Sequence, residues 1–113
     1  MEDVMTIIDP PTFDETLAFL ARRLNTSIPA LRSGLREHAT ARGLAAWALR
    51  ETYRGLTMQQ IAALLGYRDH TTVHYHIGRV RKRIAYDTTF ADQVRMLVPH
   101  RYSLIMRTVV VEA

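Results

Sequence analysis

The chain has 113 residues, 48% of them hydrophobic, a formal net charge of +4 and no cysteine. That length supports one small domain with a modest core, and the missing thiols exclude both a disulfide scaffold and a thiolate metal site. No run reaches the roughly 18 apolar residues of a membrane span, and the acidic start MEDVMTIID lacks the basic segment of a signal peptide, so a reducing cytoplasm is the expected setting.

In chain order, residues 1–11 read as an acidic N-terminal segment that contains the β-branched run VMTII. Helices are predicted over about 12–25, 27–32, 39–53, 57–65, 69–86 and 88–98, which together make one domain over 12–98. Pro11 and a T-x-x-E capping box, Thr12 with Glu15, open the first helix, and Asn25 helps close it. Ser27 caps the second piece ahead of Pro29. The last helix ends before Pro99, and residues 99–113 form a C-terminal extension with the run SLIMRTVVV. The two terminal runs have two readings. Paired as strands, they would add a small sheet and an edge for self-association or a partner; otherwise they are loose tails.

The middle of the chain carries the sharpest local pattern. Thr57 and Gln60 form a T-x-x-Q capping box, Ile61, Leu64 and Leu65 give a short apolar face, and Gly66 can take the positive φ that ends a helix. Asp69 can cap the helix that follows. In that helix Val73, Ile77, Val80 and Ile84 recur at spacings of four, three and four, a single apolar stripe that should face the core. Asp69, His70, Thr71 and Thr72 are then left exposed at the helix start, where short polar side chains can exchange hydrogen bonds with base edges in a major groove. Two short helices joined by a tight Gly-containing turn, the second one longer, make a helix-turn-helix pattern.

In this context RDHTTV, Arg68 to Val73, resembles the signature of the C-terminal DNA-binding domain (domain IV) of the bacterial replication initiator DnaA. The run ARGLAAWALRE, Ala41 to Glu51, and the opening TFDETLAFLARRLNTSIPAL are similar to that family's preceding helices, so the resemblance covers roughly residues 13–98. It implies an all-α, multi-helix, Trp-repressor-like fold with a helix-turn-helix, and double-stranded DNA as partner. It further implies that Arg68, Asp69, His70 and Thr71 read bases, that Arg42 and Arg50 lie along the DNA backbone, and that Thr57 and Thr72 sit near phosphates. The turn before the third helix is strongly basic in the family and sends an arginine into the minor groove; here Arg32 and Arg36, around Gly34, are the two available. Two further departures are His74, Tyr75 and His76 after Val73, where the family has a Leu-His pair, and a turn before Thr57 that looks one residue longer.

Charge distribution agrees with a nucleic-acid partner. Residues 1–15 hold five acidic residues and no Lys or Arg, leaving +9 on the rest. Arg42, Arg50, Arg68 and the basic run Arg79, Arg81, Lys82 and Arg83 would neutralise about four to six phosphates, although part of that run also reads as an ordinary solvated face. Arg outnumbers Lys fourteen to one, which suits phosphate and guanine recognition but is also what a GC-rich genome produces. Asp69 is either a cap alone or a cap that also accepts from a cytosine amino group. Trp47, Phe13, Phe19 and Tyr53 fall on apolar stripes and fit a core better than a base-stacking platform.

Other chemistries find little support. His70 and His74 share a helix face at i and i+4, but no third ligand stands at a convincing spacing and no H-E-x-x-H pattern occurs, so no metal or other cofactor is expected. No nucleophile, base and orienter set can be assembled for a small hydrolase. The G-x-x-x-x-G-K-[ST] phosphate loop is missing, so the initiator's ATPase is not expected here, and Met1 with the extra C-terminal segment points to a free-standing protein. Two readings are carried forward. One is a nucleoid-associated, sequence-specific duplex binder regulating replication initiation or transcription. The other is an interaction module acting on the replication initiator or its regulators.

Overall fold

Thr12 opens the first helix as its capping box predicts: the Glu15 amide donates to Thr12 Oγ1 at 3.1 Å and the Thr12 amide donates to Glu15 Oε1 at 2.8 Å. The structure, a computed structural model, describes residues 12–99 and 101, and every regular element among them is helical. Helix α1 is Phe13–Arg23. It ends on Asn25 at φ 56°, with the Thr26 amide returning to the Ala21 carbonyl at 2.8 Å and the Asn25 amide to Arg22 at 3.1 Å, a Schellman closure. Ser27 caps the one-turn helix α2, Ile28–Leu31, through the Ala30 amide at 3.2 Å.

A 3₁₀ turn at Arg36–His38, which the apolar spacing did not predict, runs directly into α3, Ala39–Thr52. Then come α4, Met58–Leu64, α5, His70–Tyr86, and α6, Thr88–Val94. Where one helix was expected over 88–98, the chain tightens after Val94 into a 3₁₀ turn, Arg95–Leu97, whose tighter winding buries Val94 and Leu97 together. The terminal runs VMTII and SLIMRTVVV lie outside the described residues.

Helix α3 is the centre of the domain. Ala45, Ala46, Ala48 and Leu49 are fully buried and Trp47 is nearly so, because α1, α2, α4 and α5 all pack against it. Small alanine side chains let those neighbours approach closely. Leu17 and Leu20 come from α1, Leu31 from α2, Ile61 from α4, and Leu56 and Leu65 from its flanks. The predicted stripe of α5 closes the other side: Val73, Ile77 and Val80 are buried and Ile84 is half-buried. Burial of each such aliphatic side chain contributes about 1.5–3 kcal/mol, so α5 is pinned along its inner face while its outer face stays in solvent.

Candidate nucleic-acid interface

The helix-turn-helix geometry starts from the end of α4. Gly66 adopts φ +69°, the Tyr67 amide donates back to the Ala62 carbonyl at 2.8 Å, and the Gly66 amide reaches Ala63 at 3.4 Å. A Cβ on Gly66 would lie 2.8 Å from the Arg32 carbonyl oxygen, so the turn rests directly on the backbone that follows α2. The start of α5 is therefore located by α4 and by the α2 end together.

That location brings Arg68, Asp69, His70, Thr71 and Thr72 into one exposed row. Asp69 caps α5 by accepting from the Thr71 amide through Oδ1 at 2.9 Å, and that hydrogen bond, ahead of the nearby His70 imidazole, holds its carboxyl below the usual carboxylate range. His70 Nδ1 stands 3.8 Å from the same oxygen. Thr57 caps α4 as predicted, accepting from the Gln60 amide at 3.1 Å while the Thr57 amide donates to Gln60 Oε1 at 2.8 Å. A threonine that accepts in a cap keeps its own O–H to donate, so capping and contact with a phosphate oxygen are compatible.

The arginines are distributed differently from the expectation. Arg42 is buried at 7% exposure, where its Nε donates to the Leu31 carbonyl at 2.8 Å, its Nη2 donates to the Leu65 carbonyl at 2.6 Å, and its guanidinium stacks on the Tyr67 ring at 4.0 Å. It ties the end of α2 to the end of α4, which leaves little of the side chain exposed. Half-buried Arg50 donates through Nη1 to the Leu56 carbonyl in the loop before α4. Arg32, expected near the minor groove, donates through Nε to the Leu64 carbonyl at 3.0 Å and faces Asp14 at 3.9 Å. Helix C-terminal carbonyls lack intrahelical donors, and a guanidinium with five N–H groups supplies them. Arg36 lies in the 3₁₀ turn and is exposed.

Along α5 the basic run divides. Arg81 pairs with Glu51 at 3.2 Å, and Arg83 pairs with Asp87 at 3.5 Å and lies over the Phe90 ring. Arg79 and Lys82 make no ion pair among the described residues. Tyr75, noted in the sequence only as a departure from the family pattern, is 62% exposed on the outer face beside Arg79; an aromatic off the apolar stripe of a basic helix is the signal that marks it. Trp47 and Tyr53 are buried and Phe13 and Phe19 half-buried, in line with core roles. Among the described residues no group of three His, Asp or Glu side chains stands where a metal could be held.

His76 has a separate consequence. It packs on Gly43 of α3 and beside the Tyr67 ring, and burial, followed by the positive charges of Arg42 and Arg79, holds its imidazole below the usual histidine pKa. The unfolded chain therefore binds that proton at higher pH than the folded chain does. His76 leaves stability intact above the ordinary histidine range and costs stability progressively as pH falls below about 6.5 toward its folded value. Urea midpoints measured from about pH 7.5 to about pH 5 should fall in the wild type and fall less in His76→Gln. Equal slopes would show that His76 contributes no such linkage.

No family model, curated protein or solved structure matches the chain.

Proposed function

We propose that the protein binds double-stranded DNA sequence-specifically through α4 and α5, with Arg68, Asp69, His70 and Thr71 reading base edges and Thr57 and Thr72 meeting phosphates. The observation that carries this reading is the exposed polar row at the start of α5, on a helix whose opposite face is locked into the core. The resemblance of RDHTTV to the initiator's DNA-binding domain supports sites like the initiator's boxes, and hence regulation of replication initiation or of transcription at the nucleoid, without ATPase activity.

Phosphate anchoring is smaller in this reading than the sequence suggested. With Arg42 and Arg50 serving carbonyls, Arg36, Arg68, Arg79 and Lys82 remain, enough to neutralise about three or four phosphates and give a log-log salt slope of roughly −3 to −4. Gel shifts with an initiator-box duplex and a scrambled duplex, each at several salt concentrations, test the reading. Preference for the box with a slope in that range is expected; a slope near zero would exclude a nucleic-acid binder.

One observation favours a second reading. Arg32, Arg42 and Arg50 are all turned to internal carbonyls, which fits a fold retained for protein contacts, on the replication initiator or its regulators, with weak DNA binding. Slopes shallower than about −2, together with equal binding to box and scrambled duplexes, would favour it.

A further inference from the structure

A groove of about 240 Å³ lies between the first turns of α3 and the middle of α5, away from the exposed row at the start of α5. Thr40 and Gly43 line it from α3, His76, Arg79 and Arg83 from α5, and Phe90 from α6. We propose that this groove is a phosphate-binding site, held by the guanidinium groups of Arg79 and Arg83 and the Thr40 hydroxyl.

Arg79 and Arg83 stand one helical turn apart on one flank of α5, and Thr40 enters from the opposite wall, so donors come from two helices. A tetrahedral oxyanion uses donors from several directions, whereas a carboxylate is satisfied by one planar fork. Arg79 makes no ion pair among the described residues, and Arg83 reaches its partner Asp87 only at 3.5 Å. The groove therefore carries the uncompensated positive charge of Arg79 beside an Arg83 that is already paired with Asp87. Its other face is apolar, with Phe90 beneath the Arg83 guanidinium at 4.1 Å, which lowers the local dielectric and strengthens attraction for an anion.

Size limits the occupant. Sites for drug-sized ligands measure about 300–1,000 Å³, so this groove suits one phosphate group with its sugar rather than a dinucleotide. Gly43 keeps the floor open: a Cβ there would already touch the His76 ring at 3.4 Å. The same phosphate chemistry has two sources, a backbone phosphate of a bound duplex or a free phosphomonoester. The groove shares Arg79 with the phosphate anchors of the duplex-binding reading but none of the base-reading residues at the α5 start, and its binding of phosphate is measured without DNA.

His76 reports on occupancy. The groups facing it are Arg42 from α3, Arg79 and Tyr75 on its own helix and Tyr67 from the turn, and an anion beside Arg79 would offset the repulsion felt by a protonated imidazole. The test is an NMR titration of His76 in the full chain with sodium phosphate, against sodium chloride at matched ionic strength. Phosphate is expected to raise the His76 pKa in the wild type, and Arg79→Gln, an exposed replacement, should weaken phosphate binding about tenfold. Thr40→Val should weaken it by a smaller factor without altering Arg79. A His76 titration that is the same in phosphate and chloride would overturn the proposal, as would an undiminished phosphate response in Arg79→Gln. A duplex arm assigns the source. If Arg83→Gln, at a groove residue that the duplex-binding reading does not count among its anchors, lowers the magnitude of the salt slope by about 1 on every sequence, the phosphate belongs to DNA; if the slope is unchanged while the phosphate response persists in the wild type, the ligand is a free phosphomonoester. Should the chain bind no duplex, the phosphate response still decides the groove by itself.

Discussion

Arg42→Ala should destabilise the domain by about 3 kcal/mol, a large share of the 5–15 kcal/mol available to a domain of this kind. The side chain satisfies the Leu31 and Leu65 carbonyls and covers one face of Tyr67. Its removal leaves two acceptors without their donors, each costing about 1–3 kcal/mol where water cannot replace them, and opens space beside the half-buried Tyr67 ring. Relief of the desolvation of a buried charge offsets part of that loss, which keeps the expected value below the simple sum. Arg42→Lys should recover about half of it, since an ammonium serves one carbonyl well but lacks the planar fork that spans two. Urea denaturation measures both. An unchanged midpoint in Arg42→Ala, with lost DNA affinity, would return Arg42 to the phosphate-binding set.

Gly66→Ala should cost about 2–3 kcal/mol. A left-handed backbone costs an L-residue with a Cβ roughly 1–2 kcal/mol, and the new Cβ would meet the Arg32 carbonyl oxygen at 2.8 Å, which requires the α2 end to move. The smaller conformational freedom of unfolded alanine returns about 0.4–1 kcal/mol of this. Gly66→Asn separates the two contributions, because asparagine tolerates the left-handed region but carries the same Cβ. If both variants lose equally, the contact with Arg32 dominates; if Asn is nearly neutral, backbone strain does. Full stability in both would contradict the described turn.

These two residues mark where the sequence was legible and where it was not. Gly66, Asn25, Thr12, Ser27, Thr57 and Asp69 act within a few residues of themselves, so their roles as turn formers and caps follow from local spacing, and the structure places all six as expected. The α5 stripe was legible for the same reason, because period and burial are one property seen twice. Arg42, Arg32 and Arg50 act on carbonyls of Leu31, Leu64, Leu65 and Leu56, and Arg42 and Arg32 do so across elements. Every residue has a carbonyl, so no side-chain pattern announces which arginine will reach which one. A basic residue on a helix therefore looks the same in sequence whether it faces a phosphate or a helix end. The 3₁₀ segments at Arg36–His38 and Arg95–Leu97 escaped for a related reason: a shift from four-residue to three-residue hydrogen bonding over one turn barely alters apolar spacing.

The central claim is that the start of α5 reads bases, and its most direct measurement is the affinity of wild type and of His70→Ala and Thr71→Ala for an initiator-box duplex and a scrambled duplex at one salt concentration. Both side chains are exposed and lie outside the buried stripe, so the variants should fold normally. Each is expected to lose about 1–3 kcal/mol of preference for the box while binding to the scrambled duplex stays nearly unchanged. Equal loss on both duplexes, or no loss on either, would contradict the claim.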